Sequence, residues 1–428
     1  MNRRFLLADR LWLSVVVSTL GGMVNEGDVP GAGLPAELSA GVLKWLIDSD
    51  PALRWQVERD LADEPPEVWQ ATRARVAREG FGARLISLQD PDGQWAGGAY
   101  FPKEPTGVGE PASVGEAESA SVKERASAGE AEPASVGDPT AAGEAVAAGD
   151  LVRPAELEPT GELEPTEELE PTEELGPPEE GQPWTATTWS LNTLREWGAD
   201  AAALAGTAEK LAAGCRWEYD DLPYWDGEVD CCINAFTLAN GAWLDAEVGG
   251  IARWLVEHQM VEGGWNCMWV EGSNRASFHS TLNVLKGILS YEQATGAGSA
   301  ELRAARRAGE EYLLKRRLLY RLSTGESPGP WVGHFTYPFR WFYSALNAAD
   351  YFREAALHDG VPPDPRIAEA VELIRQARQP DGTWLQAEPF QGQVWFDVDV
   401  PEGEPSKWLT LSGTRVLRWW ESEQVQAS

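Results

Sequence analysis

The sequence predicts an all-α protein assembled from helical hairpins. Three observations carry that prediction. Apolar residues recur at helical spacing through nearly all of the chain outside one acidic stretch, and the strict alternation of a half-buried strand is almost absent. One short turn, Gln, two or three residues, Gly, any residue, Trp, occurs three times, at Gln89–Trp95, Gln259–Trp265 and Gln379–Trp384.

The elements follow in order. Val42, Leu43, Trp45 and Leu46 form an apolar face that stops before Asp50-Pro51, and Leu53, Val57 and Leu61 form the stripe of a second helix. Further helices are expected near 68–78, 189–197, 201–211, 233–243, 251–259, 278–291, 302–321, 339–356, 367–379 and 408–421. Residues 1–34 read as an extension, or as a start placed upstream of Met23, because Asp9 and Arg10 interrupt what would otherwise be a secretory signal. The folded part begins at 35–102 and resumes at 183–424. Between them, 103–182 is rich in Glu, Pro, Ala, Gly, Ser and Thr with 21 acids and 4 bases, and is expected to be disordered because it cannot bury enough apolar surface to offset chain entropy.

Composition narrows the function. The formal net charge is -33, which argues against a nucleic-acid partner and against docking on an anionic membrane. No stretch is apolar for long enough to span a bilayer, and four cysteines are too few for a disulfide scaffold, so a soluble, cytoplasmic protein is expected. Trp is in excess, 21 against 20 Phe and Tyr combined, as a recurring structural turn or an aromatic cavity would require.

In each repeated turn, Gly93, Gly263 or Gly382 is expected to take the left-handed cap of the preceding helix. Gln89, Gln259 or Gln379 is then free to hydrogen-bond backbone at the end of a neighbouring helix, and Trp95, Trp265 or Trp384 to pack across that end. This pattern resembles the QW repeat of squalene–hopene cyclases and of the related protein prenyltransferase β subunits. The resemblance covers most of 36–424 outside the acidic stretch. It implies an α/α toroid, and the length fits one toroid, as in a single-domain bacterial-type squalene cyclase-like protein. It also implies an isoprenoid or another apolar small molecule as partner, in a central cavity. The alternative is a non-catalytic toroid that binds an apolar ligand or a protein.

Three segments carry candidate chemistry. Squalene cyclases protonate an alkene with a D-x-D-D acid. Glu218-Tyr-Asp220-Asp221 and Asp397-Val-Asp399-Val400 only approximate it, and both read as loop carboxylates. Prenyltransferase β subunits bind zinc through D-x-C at a helix start and a later His. Asp230, Cys232 and His279 match that order, with Cys267 as a candidate fourth ligand, although the acidic stretch before Asp230 lacks the bases that would hold a diphosphate. The Gly263–Trp265 turn is expected at the end of the barrel opposite the ligands, which would leave Cys267 apart. Finally, His334, Tyr337, Arg340 and Trp341 form an aromatic and basic cluster at an expected helix start. It either faces the cavity, where aromatic faces stabilise cations, or packs between helices.

Overall fold

The computed structural model describes residues 38–103, 182–296 and 298–427, with side chains to 422. The expected extension at 1–34 and nearly all of the acidic stretch lie outside the described residues. In chain order the helices are α1 (Ala40–Ile47), α2 (Pro51–Asp60), α3 (Pro66–Arg73), α4 (Gly80–Ile86), α5 (Thr187–Glu196), α6 (Thr207–Gly214) and α7 (Cys231–Trp243). They continue with α8 (Gly249–Glu257), α9 (Phe278–Thr295), α10 (Ala300–Lys315), α11 (Ala345–Asp359), α12 (Ala368–Gln376) and α13 (Lys407–Ala427). One antiparallel pair, β1 (Trp384–Leu385) with β2 (Pro405–Ser406), sits between the last two helices.

The helices form an α/α toroid. Contacts run from α5 to α7, α9, α11, α13 and on to α2. The ring closes where the Trp55 indole of α2 donates to the Trp197 carbonyl at the end of α5, 2.8 Å away. Neighbouring inner helices are parallel. Lys286–Asn347 and Gln293–Glu354 both join α9 to α11 at the same offset of 61 residues, so the two pairs are rungs of one ladder. The inner helices α7, α9 and α11 are buried almost all round. The outer α3, α8 and α12 bury a single stripe, as their amphipathic sequences require.

The repeated turn is built identically three times. Trp95, Trp265 and Trp384 are fully buried, and their indoles donate to Leu85, Leu255 and Ile374, each ten residues back. Their backbone N–H groups donate to Thr187, Thr281 and Thr410, which stand in the first turn of the following inner helix. Thus each turn clamps the end of an outer helix to the start of an inner one. Gly93, Gly263 and Gly382 have φ of 89°, 97° and 96°. They lie inside the turn, several residues past the helix, and not at the helix cap as expected. Gln89 and Gln259 reach the next outer helix, at Thr207 and Ala305, whereas Gln379 donates back to Ala377.

Five elements differ from expectation, the first being the 68–78 helix, which ends at Arg73. The helix α4 was not anticipated, because Gly80 and Gly82 dilute its propensity. The expected 201–211 helix is divided by Gly206, which has a positive φ. The 302–321 helix ends at Lys315, since Arg317 and Leu318 take left-handed conformations. The 339–356 helix starts only at Ala345, after Pro338 and a left-handed Arg340. The ends of the acidic stretch are also part of the toroid. The Lys103 N–H donates to the Ala96 carbonyl, and Gln182 is buried and accepts from the Trp341 indole.

Candidate functional site at the mouth of the toroid

The starts of the inner helices gather at one end of the ring, and most side chains with chemical potential lie there. The first group is a set of thiols. Cys231 and Cys232 open α7, and Cys267 follows the Trp265 turn. Cys232 Sγ and Cys267 Sγ are 3.2 Å apart. Cys267 Sγ also receives the Cys232 N–H at 3.4 Å and the Ser280 hydroxyl at 3.4 Å. Trp265 bridges to Ser277, the N-cap of α9, and donates to Thr281, so the turn shares this end of the barrel. This reverses the expectation that Cys267 would be remote. Donors from Cys231, Cys232 and Ser280 draw the Cys267 thiol well below its usual range, against the opposing effect of burial. Asp230 shifts the other way. Burial, with the neighbouring Cys267 and Glu228, pushes its carboxyl up to about 8.

Of the residues considered for zinc, Asp230 and Cys232 lie beside Cys267, whereas His279 meets the backbone that precedes α11. Among the described residues, no group of three or more His, Cys, Asp or Glu side chains is placed to hold a metal ion. His279 Nδ1 accepts the Tyr343 N–H at 2.8 Å, and its ring packs among Trp331, Trp341 and Tyr343. Cys232 faces Cys267 and the Asn283 amide instead.

The aromatic and basic cluster occupies the loop before α11. Trp341 stacks on Phe342, with ring centroids 3.8 Å apart, and Phe342 stacks on Phe390. Arg340 lies over Trp184, and burial lowers its guanidinium to about 10. Among the described residues no carboxylate forms an ion pair with it. His334 Nε2 meets the Glu388 carbonyl at 2.8 Å. Tyr337 is committed to packing, for its hydroxyl accepts from the Trp197 indole and its ring stacks on Trp408. Tyr337 and Trp341 thus pack against other rings, while Arg340, without an ion-pair partner among the described residues, lies against the Trp184 ring.

A third feature was not foreseen as a site. A cleft of about 920 Å³ opens between α1 and the starts of α2 and α13, with Trp45, Phe81 and Trp408 among its walls and Asp397 and Asp399 beside them. The two carboxylates differ. Asp397 is exposed, whereas Asp399 is half-buried and accepts the Ser406 hydroxyl at 2.5 Å. Burial outweighs that bond and pushes Asp399 up to about 6. Asp50, also at the cleft, is already spent as a cap, accepting N–H groups from Ala52 and Phe81. The Lys407 ammonium lies against Trp45 and donates to the Asp48 carbonyl and Ser49. By contrast, Asp220 and Asp221 occupy an exposed turn, as loop carboxylates should. Sequence reading had noticed Asp399 as an incomplete acid motif. Its burial comes from a strand pair and a loop that periodicity does not reveal.

A buried ionic network joins three of the inner helices. Asp350 of α11 pairs with Arg353 and with Arg415 of α13, and Arg415 reaches Gln56 and Asp60 of α2. Although burial alone would raise it, these arginines hold the Asp350 carboxyl down at about 2. Among the described residues, no helix is long and apolar enough to cross a membrane.

No family model matches the chain. No curated protein matches it. Among solved structures, the chain is similar to a GH76 α-mannanase of Bacteroides thetaiotaomicron, with 13% identity and a TM-score of 0.31 over 56% of this chain and 69% of that one.

Proposed function

We propose that the toroid binds an isoprenoid or another apolar small molecule in the cleft at the starts of α2 and α13, and transforms it by proton transfer from Asp399. One observation carries this reading. A carboxyl held near pH 6 stands in a cleft walled by Trp45, Phe81 and Trp408. Such an acid supplies and recovers protons near neutral pH. It is too weak to protonate a bare alkene, which needs a far stronger donor, but it suits the oxygen of an alcohol or epoxide. In the proposed step Asp399 gives its proton to that oxygen. The C–O bond breaks with its electron pair on oxygen, and the resulting cation faces the tryptophan rings. A proton lost from the adjacent carbon then returns to the carboxylate. The acid-rich cleft disfavours a diphosphate, in keeping with the missing bases before Asp230.

The test is incubation of the full chain with farnesol, geranylgeraniol, squalene and 2,3-epoxysqualene, with products followed by gas chromatography and mass spectrometry. Turnover of an oxygenated substrate that Asp399→Asn abolishes, with binding retained, supports the step. Turnover untouched by Asp399→Asn removes Asp399 from the mechanism. A second reading, ligand binding without chemistry, is favoured by the mouth aromatics, which stack on one another and need no substrate to satisfy them. An isoprenoid extracted from the purified protein but never converted would establish it.

A further inference from the structure

The thiols of α7 and the Trp265 turn have no part in the chemistry proposed for the cleft. We infer that Cys267 and Cys232 form a peroxide-reactive pair, with Cys267 as the sulfur that is oxidised and Cys232 as the one that resolves it. The geometry assigns the roles. Cys267 is partly exposed, while Cys231 and Cys232 are buried, so a small oxidant meets Cys267 first. Its sulfur accepts an N–H at the first turn of a helix and a hydroxyl, an arrangement that favours the thiolate. Both adjacent thiols act on Cys267, but Cys231 also reaches the Asn266 carbonyl at 3.6 Å, whereas Cys232 Sγ stands 3.2 Å from Cys267 Sγ. Little movement separates that distance from a bond.

The co-reactant is a hydroperoxide. The Cys267 thiolate attacks one peroxide oxygen, the S–O bond forms, and the O–O bond breaks with its electron pair on the departing alkoxide or hydroxide. Cys232 sulfur then attacks the sulfenic sulfur, and water leaves with the proton of Cys232. Two thiols are thereby oxidised to a disulfide by one peroxide, which is reduced to an alcohol or to water. The new bond would tie the start of α7 to the segment leading into α9, across 35 residues of chain.

The experiment treats the full-length protein with a small excess of hydrogen peroxide, then maps peptides without reduction by mass spectrometry. A 232–267 linkage is expected, forming at least tenfold faster than any oxidation of Cys215, which is buried elsewhere. In Cys232→Ser, dimedone should trap Cys267 as sulfenic acid; in Cys231→Ser, the 232–267 linkage should persist. Dimedone labelling of the unmodified protein at short times gives the same assignment without relying on a variant that folds poorly. A linkage through Cys231, oxidation no faster than that of Cys215, or thiols that react only after a chelator removes bound zinc would each overturn the inference.

Discussion

At the scale of single residues, the mouth separates carboxyls that look alike in sequence. Asp399 ionises near 3.8 in the unfolded chain and near 6 in the fold, so between those values the folded state holds the extra proton and stability falls as pH rises. Asp399→Asn removes that penalty. Its melting midpoint should exceed that of the unchanged protein by about 2–5 °C at pH 7.5, and the gain should vanish at pH 4. Calorimetry at the two pH values checks it. Asp220 and Asp221 behave oppositely. Both are exposed and left-handed, a conformation that Asn tolerates well, so changing both to Asn should leave the midpoint within about 2 °C and leave any turnover intact. The sequence does not separate these cases, since both segments read as loop carboxylates. It did not reveal the acidity of Asp399, which depends on burial contributed by distant elements. The thiol pair was half legible. Cys232 and Cys267 both stand out in the sequence, but as zinc candidates with Asp230 and His279 and with Cys267 expected apart, because a motif fixes order along the chain and not the direction in which a side chain points.

At the scale of elements, the clamp turns explain why three short motifs specify so much of the ring. Each ties an outer helix to the next inner one through a buried indole, a threonine hydroxyl and a left-handed glycine. Trp265→Ala should therefore cost about 3–5 kcal/mol in denaturant unfolding. Gly263→Ala should cost about 1–3 kcal/mol, because an added Cβ would sit 2.6 Å from the Ala308 carbonyl at a φ of 97°. Gly272 shares a positive φ but has nothing within 4 Å, so Gly272→Ala should cost about 1 kcal/mol. Equal losses at the two glycines would mean that backbone conformation alone matters, and not the close approach. The helices with strong apolar periodicity were legible almost to their ends. Where glycine or a left-handed residue breaks a helix, as at α4, Gly206 and Arg340, propensity and tertiary packing disagree and packing prevails.

At the scale of the whole molecule, the toroid was legible through its turns, but the ion network between its inner helices was not. Asp350, Arg353 and Arg415 lie on helices whose rotation no single stripe fixes, so their pairing is not legible in the sequence. The ionic core holds α11, α13 and α2 in register. Asp350→Ala, which strands the buried Arg353 and leaves Arg415 only Gln56 and Asp60, should cost about 3–5 kcal/mol, measured by urea unfolding. Replacing 104–181 with a short Gly/Ser linker from Lys103 to Gln182 should leave the midpoint within a few degrees, given the composition of that stretch. The parallel course of the inner helices has one more effect. Each peptide dipole points the same way, so each helix start carries about half a positive charge and each end about half a negative one. Around six helices this sums to roughly three charges of either sign at the two faces. Arg418, donating to the Asp60 and Leu61 carbonyls at the end of α2, compensates the negative face. The ring is thus a polar object despite its uniform acidity, and a ligand with unlike ends would differ in energy when turned end for end within it.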